Sequence, residues 1–201
     1  MRILLFSFLL LFSFSTLADS PITSIDIHEA YSDHEMVKIA GNSEGVITKE
    51  IIKFLYKKRK PIDVKMAIIN KLSWESGGKN NSKKFWEYLK SKRKYKNTDD
   101  FLKNGRAHEL LCMAYLKAMD DYFNVDEAIE IAQIAKEKNN DSFTYHMIHA
   151  IIVAQKKMNY NRCEVYSIPN EVRENSNLDV DMNEASIALI FDYVGLYEKY
   201  C

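Results

Sequence analysis

Between residue 48 and residue 200, apolar side chains return every three or four positions, the spacing that gathers them on one face of an α-helix. The breakers are few, six Gly and three Pro in 201 residues, and most of them separate these stretches. Thr48 opens a helix through Tyr56 to Lys58 that Pro61 closes, and Ile62, Met66, Ile69 and Leu72 line the next one, which stops near Ser76-Gly77-Gly78. Ser82 reads as the cap of a helix carrying Phe85, Trp86 and Leu89. Thr98-Asp99-Asp100 starts another, with acids where the helix dipole favours them, a bend near Gly105, and strongly helical spacing from Leu111 through Tyr115 and Met119 to Tyr122. Asn124 heads a helix to about Lys138, Asp141-Ser142 opens one with Met147, Ile151 and Ala154 on its stripe, a shorter helix around Cys163 meets Pro169, and the last runs from about Asn183 to Tyr200. Residues 24–40 carry both patterns. Ser24-Ile25-Asp26-Ile27 alternates like a strand, while Ala30 to Ala40 is helical in character. The predicted fold is all-α, an array or bundle of about seven to eight helices packed as hairpins.

The first eighteen residues interrupt this picture. Arg2, the apolar run from Ile3 to Phe14 and the small-x-small site Thr16-Leu17-Ala18 have the layout of a cleaved secretory signal peptide, and the apolar run is shorter than the roughly 20 residues of a membrane span. The expected product is residues 19–201, a single soluble helical domain exported to a periplasmic or extracellular space. No second long apolar run follows, so integral membrane insertion is not expected.

Charge excludes a bulk electrostatic role. The chain holds 28 basic and 28 acidic residues, interspersed, which argues against nucleic acid or an anionic membrane as partner. The densest basic stretches, Lys57-Lys58-Arg59-Lys60 and Lys90 to Lys96, read as solvated helix ends. Cys112, Cys163 and Cys201 permit at most one disulfide. A Cys163–Cys201 pair would tie down the end of the sequence.

Two resemblances bear on function. Leu111-Cys112-Met113-Ala114-Tyr115-Leu116-Lys117, followed by Asp126-Glu127-Ala128-Ile129-Glu130 and then Ala132 and Ala135, resembles a tetratricopeptide-type repeat, with a large residue, a small residue and Tyr on the first helix and an Ala-rich second helix. The likeness extends over residues 107–175 at most, and it implies stacked helical hairpins that present a surface to a protein or peptide. It departs from that family in the extra helical turn between Tyr115 and Ala128 and in Pro169. Separately, Trp74-Glu75-Ser76-Gly77-Gly78 resembles the Glu-Ser-Gly segment of lysozyme-like lytic transglycosylases, which implies Glu75 as a general acid in an apolar pocket built with Trp74 or Trp86. The Gly-Leu-Met-Gln type segment expected downstream is replaced by Ser82-Lys83-Lys84-Phe85-Trp86.

His146 and His149, three apart on one helix, share a face as two metal ligands must, and His28, Glu29, Asp33, His34 and Glu35 form a second group of donors; neither set has an assignable third ligand in reach. Glycine loops for phosphate and nucleophile elbows are absent, and no cofactor is expected. Tyr88, Tyr95 and Tyr160 fall near basic or polar residues and are candidates for a recognition surface. The leading expectation is an exported interaction module for a protein or peptide, with a Glu75 glycoside-cleaving enzyme as the alternative.

Overall fold

The computed structural model describes residues 20–73 and 79–201, and these are all-helical. Residues 1–18, read as a signal peptide, lie outside the described residues, and so do Trp74, Glu75 and the glycines that follow. Eleven α-helices occur in order: α1 (Pro21–Ser24), α2 (Glu35–Gly41), α3 (Lys49–Tyr56), α4 (Ile62–Lys71), α5 (Asn81–Arg93), α6 (Thr98–Asn104), α7 (Ala107–Asp120), α8 (Asp126–Glu137), α9 (Phe143–Lys157), α10 (Arg162–Glu174) and α11 (Glu184–Val194). Two 3-10 helices, Ile27–Tyr31 and Gly195–Tyr200, complete the described chain.

The count exceeds seven to eight for a physical reason. Helices of four to seven residues, such as α1, α2 and α6, make too few turns to display a period, and the stretch from Thr98 to Tyr122 is two helices broken at Gly105-Arg106 rather than one bent helix. The alternation at Ser24–Ile27 is no strand. Ser20 caps α1 by accepting the Thr23 amide, and Ile25 and Ile27 alternate with polar residues because both, like Ile22, turn into the core. Pro169 does not end its helix either. α10 runs through it, with Pro169 buried, although the ring removes one backbone hydrogen bond; packing against α9 and the Gly195–Tyr200 turn carries the helix across.

Some helix starts are local and follow the sequence. Thr48, Ser142 and Asn183 each accept an amide of the first turn of α3, α9 and α11. The start of α5 is different: Ser82 is not its cap. Asn80 precedes the helix in a left-handed conformation, and the amides of Asn81 and Ser82 donate to the two carboxylate oxygens of Asp120, at 3.1 and 2.8 Å, at the far end of α7. Likewise Asn124 does not cap α8; it closes a turn with Asp121.

At the centre lies α7, with eleven of its fourteen residues buried, and one hydrophobic cluster extends around it from Ile22 to Tyr197. Small residues Ala114 and Ala118 on α7 and Ala128, Ala132 and Ala135 on α8 let those two helices approach closely. From α7 onward each helix packs on its sequence neighbour, α7 on α8, α8 on α9 and α9 on α10. The N-terminal segment is sewn to this centre by Asn70. Its Oδ1 accepts the His28 amide at 3.1 Å and faces His28 Nδ1 at 2.7 Å, while its Nδ2 donates to the Ile25 carbonyl at 2.9 Å and to the Tyr115 hydroxyl at 3.1 Å. At the other end a Cys163–Cys201 disulfide joins α10 to the last residue of the sequence, and Cys112 is a buried free thiol.

Two outcomes follow from these ties. Asn70→Leu leaves buried donors and acceptors unpaired and is expected to destabilise the protein by roughly 2–4 kcal/mol in urea unfolding, at about 1–3 kcal/mol for each group left unsatisfied. Cys163→Ser opens a loop with a sequence separation of 38. The chain-entropy estimate for that loop is a loss of about 3–4 kcal/mol, and reductant added to the wild-type protein should reproduce the loss in the same assay.

Candidate protein-binding surface

Six large hydrophobic side chains are exposed among the described residues: Val46, Phe123, Tyr160, Val180, Leu196 and Tyr200. Four of these six surround two adjoining clefts, which share Met158 and Asn159. The first cleft, about 370 Å³, lies between the α7–α8 turn and the end of α9, with Phe123 and Tyr160 on its walls. The second, about 430 Å³, lies between the start of α10 and the Gly195–Tyr200 turn, with Leu196 and Tyr200 on its walls.

The chain presents these side chains by specific local devices. Asp121 Oδ1 accepts the amides of both Phe123 and Asn124 at 3.2 Å, which folds the turn so that Tyr122 enters the core while Phe123, its ring 4.2 Å from that of Tyr122, stays 68 % exposed. Tyr160 follows the last turn of α9 and is 84 % exposed. Lys156 pairs with Asp126 at 2.6 Å and so fastens the end of α9 to the start of α8, and Gln155 accepts the Ile22 amide at 3.3 Å. In the second cleft the Arg162 guanidinium sits 5.3 Å over the Tyr200 ring and donates to its hydroxyl at 3.3 Å. The disulfide holds the adjoining Cys201 against α10. Aromatic rings with a stacked Arg and no apolar cover are the composition of binding hot spots, since they offer large contact area at small entropic cost.

The three tyrosines singled out in the sequence do not gather. Tyr95 is core, its hydroxyl donating to Glu109 Oε2 at 2.9 Å; Tyr88 packs edge-on against Tyr56 at 5.5 Å; only Tyr160 reaches the surface described here. Phe123, Leu196 and Tyr200 carried no local signal, because their exposure is set by which neighbouring elements stop short of them. Trp86 lines a separate cleft of about 240 Å³ with Phe101 and a Lys117–Glu127 pair at 2.7 Å; Glu75, its expected companion, lies outside the described residues.

The histidines are engaged in structure. His146 meets the Asn140 carbonyl through Nε2 at 3.0 Å, and the Lys136 ammonium approaches His149 Nδ1 at 3.5 Å, a cation where a metal would have to sit. Burial, with Lys136 and His146 alongside, lowers the His149 pKa to about 4, and burial lowers that of His146 too. In the N-terminal group His28 is bound to Asn70 and Glu29, His34 Nδ1 accepts the Met36 amide, and Asp33 faces Lys38. Among the described residues no group of three His, Cys, Asp or Glu is placed to hold a metal. The Cys112 thiol is likewise out of use: burial pushes it up to about 12, which keeps it protonated at neutral pH.

The fold thus defines an all-α protein in which no described helix is long and apolar enough to cross a membrane. No protein-family model, curated protein or solved structure matches the chain.

His149 gives a pH test of this packing. An unfolded imidazole takes up a proton near pH 6.5, whereas the folded His149 resists it until about pH 4. Stability from this group is therefore full above about pH 6.5 and falls as the pH drops toward about 4. Urea midpoints across that window should fall less for His149→Gln than for the wild type, with His108 and His146, shifted in the same direction, leaving a residual slope.

Proposed function

We propose that this is an exported, soluble helical interaction module that binds a protein or peptide partner across the twin cleft rimmed by Phe123, Tyr160, Leu196 and Tyr200. The observation that carries the reading is the gathering of four of the six exposed large hydrophobic side chains around two adjoining clefts. Scattered exposed hydrophobes are ordinary on any protein, but exposed aromatic and aliphatic side chains gathered on adjoining clefts among polar neighbours are a feature that partners bury. The rim here is supplied by Asp126, Lys156, Arg162 and Lys199.

The tetratricopeptide resemblance adds to this reading. The consecutive packing of α7, α8, α9 and α10, joined by turns of four or five residues, supports hairpin stacking over residues 107–175. Export rests on the layout of residues 1–18 and agrees with a disulfide in the remaining chain.

The immobilised protein, incubated with the exported fraction of its source cells, should retain a partner in stoichiometric amount. Phe123→Ser combined with Tyr160→Ser should lower that retention by at least about tenfold, the order expected for two aromatic anchors, while Trp86→Phe in the separate cleft leaves it unchanged. Equal retention by all three proteins, or none by the wild type, would remove the twin cleft as the binding surface.

A further inference from the structure

The turn between α3 and α4 carries Lys57-Lys58-Arg59-Lys60, and the junction of α6 with α7 carries Gly105-Arg106. These two corners meet across a cleft of about 560 Å³, closed by the end of α8 and by Tyr145 of α9. Its walls hold four cations, Lys58, Lys60, Arg106 and Lys138, and no carboxylate, in a chain whose basic and acidic residues are equal in number. A one-sign cleft in a neutral protein concentrates anions.

The donors around this space are organised, not merely solvated. α7 begins here with fourteen residues, and the amides of Ala107 and His108, its first two, donate to no described residue; the Arg106 amide is taken by Glu109 Oε2 at 3.2 Å. The positive end of a buried helix thus opens into the cleft with two N–H groups unspent. Lys138 is fixed by donating to the carbonyls of Lys103 at 2.7 Å and Gly105 at 3.0 Å, which leaves its third hydrogen for a ligand. Lys58 and Arg106 form no ion pair with any described residue.

Tyr145 is the independent observation. The residue is 5 % exposed and lines the cleft, yet its hydroxyl has no partner among the described residues. Nor is that oxygen sealed in: Arg93 Nη2 is the one fully buried side-chain atom of the described residues without a partner. Burial holds the phenol pKa above its ordinary value, so it remains a donor. A nearly buried hydroxyl that no described residue answers, and that opens only onto this cleft wall, is free to donate to an acceptor oxygen held there.

The geometry points to a binding site for a multiply charged oxyanion of the phosphate or sulfate type, received by the α7 amides, the Tyr145 hydroxyl and the side chains of Lys58, Arg106 and Lys138. Donors converge from the α3–α4 turn, the α7 terminus, the end of α8 and α9. A tetrahedral anion offers acceptor oxygens in all these directions, where a planar carboxylate offers two oxygens in one plane, and its higher charge offsets more of the charge of Lys58, Arg106 and Lys138. The oxyanion is either a free ion or an ester group on a larger molecule.

Calorimetric titration of the protein at fixed ionic strength separates these cases, with inorganic phosphate in one arm, phenyl phosphate in a second and acetate as control. Saturable one-to-one binding of at least one phosphate is expected, with acetate at least about tenfold weaker. Tighter binding of phenyl phosphate assigns an esterified ligand, and equal or tighter binding of inorganic phosphate assigns the free ion. Arg106→Gln should weaken binding by about tenfold. Tyr145→Phe should weaken it by about three- to tenfold while leaving thermal stability unchanged or higher, since no internal hydrogen bond is lost. Lys90→Gln, in the other basic stretch, should bind as the wild type. The proposal is overturned if neither phosphate saturates, if Tyr145→Phe binds undiminished, or if Lys90→Gln loses as much as Arg106→Gln.

Discussion

A helix enclosed on nearly every side has to have each polar group it carries answered from the elements around it, and α7 sets that condition for the rest of this molecule. Its His108 reaches the Tyr56 carbonyl at the end of α3, Glu109 receives Arg93 and Tyr95 from the end of α5 and the loop after it, Tyr115 meets Asn70 on α4, and Asp120 caps α5. Four polar residues of one helix thereby fix the positions of three others. An ion or hydroxyl buried without its partner costs several times what the pair contributes, so these contacts act chiefly by making alternative packings unfavourable. Lys65 on α4 follows the same rule. It is wholly buried, its ammonium donates to the Lys57 carbonyl at 2.8 Å, and burial lowers its pKa.

What the amino-acid pattern makes legible follows from how local each cause is. Thr48, Ser142 and Asn183 cap helices through amides two or three residues away, so their role can be read from the residues themselves. The cap of α5 comes from Asp120, thirty-nine residues from Asn81, and no local reading finds it. Pro169 misleads in the opposite direction, because local chemistry says stop and tertiary packing carries α10 on. The one disulfide was legible as a possibility among three cysteines; what settles the pair is that α9, α10 and the final 3-10 turn bring Cys163 and Cys201 together while Cys112 lies in the interior of α7. The candidate surfaces were the least legible. Phe123 and Tyr122 are adjacent aromatics, and only the Asp121 turn decides which is buried. Lys58 gains its significance from Arg106 and Lys138, which are distant in sequence.

The same turn that exposes Phe123 also sets the backbone course beneath it, and this bears on how the proposed twin cleft would receive a partner. Partner binding has to offset the ordering of the side chains and loops it engages. Here the Asp121 turn, the Lys156–Asp126 pair, the Arg162–Tyr200 contact and the Cys163–Cys201 bridge have already ordered the backbone on both sides of Met158. A surface so constrained favours a partner of matching shape over a range of partners, the reverse of what a Met-rich, loop-built surface achieves.

Both candidate surfaces take their place from α7. The cationic cleft lies at its first turn and the twin cleft begins at the turn that follows its last residue, so fourteen residues, about 21 Å of helix at 1.5 Å per residue, separate them. The helix presents its positive end to the side lined by Lys58, Arg106 and Lys138, and its negative end to the side where Asp121 spends its carboxylate on the turn. Because α7 is held by contacts to α3, α4, α5, α8 and α9, it cannot rotate or slide without breaking several of them at once. That rigidity argues that the proposed anion at one end and the proposed partner at the other would be bound by independent sites on a common frame. Coupling between them would need a second arrangement of α7, and the polar contacts of His108, Glu109, Tyr115 and Asp120 oppose one.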